Sequence, residues 1–157
     1  MCDLLVAEDL GVNQVAANPD PASLPRFVAH PLAMVGSDSV FVGERPSPRT
    51  YGTFPRILGD LVRGERLMSL PDAIRKMTSY PAARLGLLDR GILRDGMKAD
   101  LVVFDPATVR SMATYESPRR FPVGIDHVIV NGHLVVDDGR VTDALPGRAL
   151  RHGRSDR

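Results

Sequence analysis

The sequence predicts an α/β fold that ends in a small antiparallel β-meander. Residues 12–17 and 32–36 are apolar stretches of strand length, and residues 21–29 between them have helical character. Strand, helix and strand in this order are typical of a parallel unit covered by helices. Near the C-terminus, Asn131-Gly132 lies between two apolar stretches. This pair predicts a β-hairpin, because a type I′ turn needs positive φ at both central residues.

Caps and apolar spacing predict the helices. Asp20 is suited to cap the first of them, with Pro21 at its first position. Ser69 with Asp72 three positions later is typical of a capping box. Apolar residues at helical spacing indicate a further helix before this box. The helices are expected over residues 21–29, 54–63, 70–77 and 78–87.

The last third of the sequence has β character. The stretch ADLVVFD, residues 99–105, is an apolar strand bounded by Gly96 and Pro106. Asp138-Gly139 marks a second tight turn, toward Val141. We therefore expect three or more antiparallel strands joined by short turns.

Composition excludes several classes of function. The 157 residues are 43% hydrophobic and carry a net charge of +1, so no strong field attracts nucleic acid or acidic lipid. No apolar stretch reaches the length of a membrane span. Cys2 is the only cysteine, which excludes an internal disulfide and fits a reducing cytosol. We expect a cytoplasmic protein without a nucleic-acid or membrane partner.

The first residues resemble the end of a helix. Leu4 to Leu10 has no capping residue before it and no basic segment typical of a secretory signal. We expect that this chain is cut from something longer.

Asp38 follows the apolar run 32–36 directly. In parallel α/β folds the chemistry takes place outside the carboxyl ends of the strands, which is where this carboxylate stands. The alternative is a structural role, with Asp38 as a turn or cap residue. The loop after it is rich in proline, glycine and arginine, and without further information Arg49 is a solvated loop residue.

Several longer motifs resemble one family. The stretch GILRDGMKADLVVFDP, with Gly91, Gly96, Ala99 and Asp100, is similar to the closing segment of the amidohydrolase superfamily. The stretches VGSDS, SPRTYGTFPRIL and PVGIDHVIVNGHLVVDDG resemble the C-terminal part of the D-aminoacylases, which are N-acyl-D-amino-acid deacylases. The resemblance runs from about residue 4 to residue 151.

The resemblance implies a fold in two parts. Residues 1–88 would be the C-terminal end of a metal-dependent (β/α)8 barrel, with its last two strands and their helices. Residues 89–148 would be part of a small β-sandwich that the complete family also builds from N-terminal strands. Residues 149–157 form a basic tail that we expect to be disordered.

The resemblance also implies roles for two side chains. Asp38 matches the aspartate that ends barrel strand eight, lies beside zinc, accepts a proton from the metal-bound water and passes it to the leaving amine. Asp38 is therefore the candidate catalytic residue and metal ligand. Arg49 matches the arginine that binds the α-carboxylate of the substrate, and a planar guanidinium suits a carboxylate. Tyr51 to Thr53 would shape the loop under it.

The sequence departs from the family pattern in two ways. Ser47 stands where the family often has a histidine, two residues before Arg49. The family's upstream metal ligands, which include a His-x-His pair, are absent from this sequence. Asp38 alone cannot hold a zinc ion, because catalytic zinc needs three protein ligands. We therefore do not expect activity from this chain alone.

Other polar residues have structural interpretations. His30 is expected to be a structural histidine, and His127 and His133 surface residues beside the hairpin. Arg56 is expected to be a surface or ion-pair residue. The remaining expectations are tail placement for His152, packing roles for Tyr51 and Phe54, and turn formation for Asp100 and Asp105.

The implied function is zinc-dependent hydrolysis of the amide bond of N-acyl-D-amino acids. One alternative is a non-catalytic remnant, or a subunit that completes a site with a complementing chain that carries the rest of the barrel. Another is a fragment of a dihydroorotase-like or hydantoinase-like amidohydrolase, against which the arginine motif argues because those substrates are cyclic amides.

Overall fold

The computed structural model describes residues 2–9, 20, 22–41, 43 and 45–151. The predicted strand over residues 12–17 and the predicted position of His152 lie outside the described residues. The helices and strands that the structure contains occur in two groups along the chain, with the helices first.

The first group consists of five α-helices and one π-helix in the described residues. Their bounds are α1 Cys2–Ala7, α2 Ser23–Ala29, α3 Arg49–Arg56, π1 Ile57–Gly64, α4 Leu70–Met77 and α5 Ser79–Arg84.

The predicted cap of α4 is confirmed, whereas Asp20 does not cap α2, which begins at Ser23 with Ala22 at its N-cap position and without a side-chain cap. Asp20 Oδ1 accepts a hydrogen bond from the backbone N–H of Ala22 at 3.0 Å, just before α2 begins. Ser69 Oγ accepts from the backbone N–H of Asp72 at 3.2 Å and donates to the Asp72 carboxylate at 2.8 Å. The Ser69 contact satisfies an N–H group that a helix leaves without a partner at its start.

The helix predicted over residues 54–63 begins five residues earlier, at Arg49. The predicted arginine loop is therefore wrong, because Arg49 to Thr53 form the first turn of α3. The backbone N–H of Gly52 donates to Pro48 O at 2.9 Å, so Pro48 starts the helix. After Pro55, which has no N–H for the carbonyl four residues before it, the chain continues as π1.

Leu32 lies in a turn, and the extended run 33–37 after it joins no strand ladder in the described part of the chain. The strand predicted over residues 12–17, its expected neighbour, lies outside the described residues, so the parallel pairing stays a prediction. The backbone N–H of Val35 donates to the carbonyl of Lys76 in α4, at 3.0 Å. The extended run is thus held by a helix.

The second group is one antiparallel sheet with strand order β1-β2-β3-β4. Both predicted turns are confirmed. Asn131 and Gly132 have φ of 48° and 82°, and Asp138 and Gly139 have φ of 47° and 71°, as type I′ turns require. The strands are β1 Leu101–Phe104, β2 Ile125–Val130, β3 His133–Asp137 and β4 Arg140–Val141.

The two aspartates that flank β1 differ in role. Asp105 forms the predicted turn, since its carboxylate accepts from the N–H of Ala107 at 2.9 Å and from the hydroxyl of Thr108 at 2.8 Å. Turn formation by Asp100 is wrong: its carboxylate accepts from the backbone N–H of Asn131 at 2.8 Å and forms an ion pair with Arg90. Asp100 therefore ties the start of β1 to the hairpin turn.

One hydrophobic core joins the helices to the sheet. Gly59 of π1 allows a close approach, because a Cβ there would lie 2.7 Å from the carbonyl oxygen of Val109. Partly buried Phe104 and Ile125 extend the core to the strands. The core therefore contains residues from both sides of the predicted boundary at residue 88, and its buried members are Ile57, Leu58, Leu61, Ala73 and Val109.

Candidate functional site

Asp38 and Arg49 lie next to each other. Arg49 Nη2 is 3.0 Å from Asp38 Oδ2, and the two side chains are 46% and 85% exposed, respectively. An ion pair this exposed contributes about 0–1 kcal/mol, so a ligand can displace it at small cost. The structure thus brings the two predicted site residues together and leaves both of them accessible.

The backbone fixes both side chains by different means. Asp38 has φ of 47°, so the chain turns sharply at the end of the extended run 33–37. Arg49 is the first residue of α3, where the hydroxyl of Thr53 donates to its carbonyl at 2.7 Å. The guanidinium therefore extends from the start of a helix rather than from a loop.

Both residues line a cavity of about 610 Å³. The cavity combines an apolar wall with a polar rim, an arrangement typical of small-molecule sites. Its apolar side is formed by α2, the extended run and π1, with Leu24, Phe27, Val28, Ala33, Met34, Val35, Ile57 and Leu61. Its polar rim includes Asp38, Ser47, Arg49, Thr53, Arg56, Ser111, Thr114 and Glu116.

No sequence pattern predicted that the segment 111–116, which precedes β2, lines this cavity. A Cβ at Gly52 would lie 2.3 Å from Ser111 Oγ, so the glycine lets the segment reach α3. The guanidinium of Arg63 donates to the carbonyl of Val109 at 2.7 Å and holds the start of the segment. Gly52 and Gly59 lie seven residues apart where the chain around residues 109–113 approaches, but this spacing alone predicts no partner.

Glu116 stands at the tip of the segment. Its own backbone N–H and the hydroxyl of Thr114 lower the pKa of its carboxyl. The backbone N–H of Ser117 donates to Thr114 Oγ1 at 3.1 Å, which fixes that hydroxyl. A second carboxylate therefore stands on the rim.

The chain just after the segment contacts Gly43 and Tyr51. Arg119 Nη2 donates to the carbonyl of Gly43 at 2.9 Å. The ring of Tyr51 lies edge-on to those of Phe121 and Phe41, with centroids 5.7 Å and 6.4 Å away. The packing role predicted for Tyr51 is confirmed, and the cavity wall is tied at both ends.

The other predicted residues lie outside this cavity or on its edge. His30 Nδ1 accepts from the backbone N–H of Leu32 at 3.2 Å, as a structural histidine would. Arg56 forms the expected ion pair, with Nε 3.5 Å from Asp60 Oδ2. His127 is partly exposed in β2, with Nδ1 3.0 Å from Asp137 Oδ1 across the hairpin.

The described residues do not form a metal site by themselves. Among them, no group of three or more His, Cys, Asp or Glu side chains is arranged to hold a metal ion. Asp38 has a guanidinium as its nearest charged partner, whereas a catalytic zinc needs three protein ligands around it. Separately, no helix in the described parts of the chain has the length and apolar character to cross a membrane.

Comparison with known proteins identifies the family. Residues 5–136 match the sequence profile of the amidohydrolase family. From Alcaligenes xylosoxydans xylosoxydans, an N-acyl-D-aspartate deacylase is 46% identical over 134 residues, and a D-aminoacylase is 47% identical over 131 residues. These matches cover 85% and 83% of this chain, but 27% of either relative.

Solved structures agree with the sequence comparison. The structure of D-aminoacylase superposes with a TM-score of 0.81 at 45% identity, over 84% of this chain and 28% of that one. The N-acyl-D-glutamate deacylase of Bordetella bronchiseptica, solved with zinc and a phosphonate inhibitor, gives 0.73 at 45% identity, over 78% and 27%. The chain therefore spans about a quarter of the relatives it matches. With the family profile matched along most of its length, this chain belongs to the amidohydrolase family.

Proposed function

We propose that this chain forms the C-terminal part of a metal-dependent hydrolase that cleaves the amide bond of N-acyl-D-amino acids. The observation that carries the proposal is the pairing of Asp38 with Arg49 on the rim of one cavity. Its similarity to N-acyl-D-amino-acid deacylases supports the choice of substrate class. The fold proposed for the complete enzyme is a (β/α)8 barrel with a composite β-sandwich, divided near residue 88.

Arg49 is proposed to bind the α-carboxylate of the substrate. Its guanidinium already holds a carboxylate oxygen of Asp38 at 3.0 Å. A substrate carboxylate can replace that oxygen and add a second parallel hydrogen bond, which a planar guanidinium favours. Because the α-carboxylate and the amide share one α-carbon, this contact would fix which face of the amide approaches Asp38.

Asp38 is proposed to move the proton of the reaction. A carboxylate at the reacting bond can accept a proton from the attacking water and deliver it to the leaving amine. Its 85% exposed side chain leaves room for substrate and water. When the substrate carboxylate binds Arg49, the ion pair between Arg49 and Asp38 breaks. Asp38 is then free to transfer the proton.

For the metal, we propose only its identity and one of its ligands. D-aminoacylase has been studied for its binuclear metal centre, and the Bordetella deacylase was solved with zinc. By this similarity we propose zinc for the complete enzyme and Asp38 as one of its ligands. The described residues do not supply the other ligands, so no catalytic step is assigned to the metal here.

Binding of an N-acyl-D-amino acid tests this function. Arg49→Met should weaken binding of N-acetyl-D-leucine in isothermal titration calorimetry by about tenfold or more, since a charge-assisted pair is lost. Arg56→Met is the matched control, because Arg56 lines the same cavity but pairs with Asp60. N-acetyl-D-leucine amide, which has no carboxylate, should bind weakly to all three proteins. Equal affinity of the Arg49→Met variant and the unaltered chain for the acid would overturn the proposal.

A further inference from the structure

Lys76 in α4 is buried although it carries a charge. Only 3% of its surface is exposed, and Ala73 one turn earlier is fully buried. A buried ammonium group is costly unless hydrogen bonds satisfy it. The hydrogen-bond partners of its ammonium group therefore need to be identified.

The ammonium group bonds to backbone oxygens rather than to a carboxylate. Lys76 Nζ donates to the carbonyl of His30 and to that of Ala33, the latter at 3.4 Å. His30 is the C-cap residue that follows α2, so the positive charge lies near the negative end of that helix. Burial is the largest cause of the lowered pKa of Lys76, and the adjacent charge of Arg75 adds to it, while Asp72 opposes it.

The same residue also bonds through its backbone. The N–H of Val35 donates to the carbonyl of Lys76 at 3.0 Å. The side chain and the main chain of Lys76 thus form hydrogen bonds with three residues, His30, Ala33 and Val35. Asp38 follows three residues after the last of them.

No strand ladder supports residues 33–38 among the residues that the structure describes. Within the described parts of the chain, the hydrogen bonds that reach this run from other elements come from Lys76, apart from the exposed Arg49 pair. The position of Asp38 relative to Arg49 therefore depends on α4.

We propose that Lys76 is a positioning residue that sets the location of Asp38 opposite Arg49 through the segment 30–35. It touches neither substrate nor the reacting atoms. The proposal rests on the proposed function for the importance of Asp38, whereas the mechanical link can be measured without any activity.

The sequence makes the experiment specific, because it contains only two lysines, Lys76 and Lys98. Lys76→Met removes the ammonium group and keeps an unbranched side chain. Lys98→Met is the matched control, since Lys98 lies at a separate cavity beside the hairpin turn.

Amide hydrogen exchange followed by NMR gives the first result. In Lys76→Met the Val35 amide should exchange about tenfold faster or more, relative to the Leu61 amide in the core. The backbone signals of Ser37 and Asp38 and the Nε–H signal of Arg49 should shift. In Lys98→Met these signals should stay in place. If the ratio of Val35 to Leu61 exchange and the Arg49 signal are both unchanged in Lys76→Met, Lys76 only fills space and the proposal is wrong.

A second measurement covers the case in which Lys76→Met does not fold. In the unaltered chain, the two lysine ¹³Cε signals are followed against pH, with Lys98→Met to assign them. The buried ammonium of Lys76 should titrate below the ordinary lysine pKa of 10.5, because burial disfavours its charged form. Titration of Lys76 at the ordinary lysine value would overturn the proposal, because Lys76 would not be buried against α2 in solution.

Kinetics separates this inference from the proposed function. In enzyme with measurable deacylase activity, Lys76→Met should lower kcat and leave KM unchanged, because Asp38 moves and Arg49 still binds the substrate. A change in KM alone would contradict a positioning role. If no N-acyl-D-amino acid binds at Arg49, the proposed function fails while the exchange result still decides the role of Lys76.

Discussion

At the scale of single residues, the site is an exposed acid and an exposed guanidinium that currently satisfy each other. Asp38 and Arg49 are 3.0 Å apart at the cavity rim, and neither is buried. Their pairing adds little stability, so we expect selection for binding and proton transfer rather than for folding. The place of Asp38 directly after an apolar run made it a candidate, whereas Arg49 became a candidate only through the family resemblance of its motif.

Asp105 offers a residue-scale prediction on pH. Hydrogen bonds from the backbone of Ala107 and the hydroxyl of Thr108 lower its pKa from 3.8, with desolvation opposing. A lowered folded-state pKa stabilises the protein above the unfolded value, and this contribution is lost as pH falls through the folded value. Asp105→Asn should therefore be less stable than the unaltered chain at pH 7, and the difference should shrink below about pH 3.8.

Urea unfolding at pH 7 and pH 3 measures this difference. Asp143→Asn is the control, since its exposed carboxylate makes no hydrogen bond recorded in the described residues. A stability difference for Asp105→Asn that is the same at both pH values would contradict the account.

At the scale of elements, local sequence patterns predicted the features whose geometry depends on neighbouring residues, namely a helix cap and two tight turns. The Ser69 cap and the turns at Asn131-Gly132 and Asp138-Gly139 were predicted, because their geometry depends on neighbours in sequence. The start of α3 was not, since its first turn lacks apolar spacing. Two features depend on residues far apart in sequence: strand pairing at 32–36, and the approach of segment 111–116 to α3. A local sequence pattern cannot predict such contacts.

Gly59 gives the element-scale prediction. A Cβ at this position in π1 would lie 2.7 Å from the carbonyl oxygen of Val109 and 3.1 Å from Arg110 Cα. Both neighbours are backbone atoms, so Gly59→Ala should cost about 1–3 kcal/mol through overpacking. Gly64→Ala, in the same helix, is the control because its nearest atom is 3.5 Å away.

Chemical denaturation measures both variants. We expect Gly64→Ala to be neutral or slightly stabilising, because alanine reduces the entropy of the unfolded chain. Equal stability of the Gly59→Ala variant and the unaltered chain would show that π1 does not pack this tightly against the 109–110 backbone.

At the scale of the whole molecule, a small core holds helices and sheet together and much apolar surface remains outside it. Leu88, Leu93 and Leu145 are 77%, 84% and 95% exposed. Such side chains mark a contact face only where they form one contiguous patch.

The Arg90 network provides the whole-molecule prediction. Arg90, with 9% of its side chain exposed, pairs with Asp100 and donates to Asn131 Oδ1 at 2.7 Å. Asn131 Nδ2 in turn donates to the carbonyl of Pro146 at 2.8 Å, so one network joins the connection before β1, the hairpin and the C-terminal segment. Asp100→Asn should cost about 1–3 kcal/mol, because it removes a charged partner of a buried guanidinium.

Asp126→Asn is the control for this prediction, since Asp126 is an exposed strand residue whose carboxylate has no recorded partner in the described residues. Thermal unfolding of the two variants should separate them by several degrees. Equal melting temperatures would mean that the network contributes nothing to joining the three segments.

Arg49 is proposed to exchange the Asp38 carboxylate for the α-carboxylate of an N-acyl-D-amino acid. NMR of the unaltered chain during titration with N-acetyl-D-leucine, beside its L-enantiomer, tests it most directly. We predict a saturable shift of the Arg49 Nε–H signal and of the Asp38 carboxyl signal with the D-enantiomer, and a weaker response with the L-enantiomer. No shift at Arg49, or saturable shifts confined to residues outside the cavity, would contradict the account.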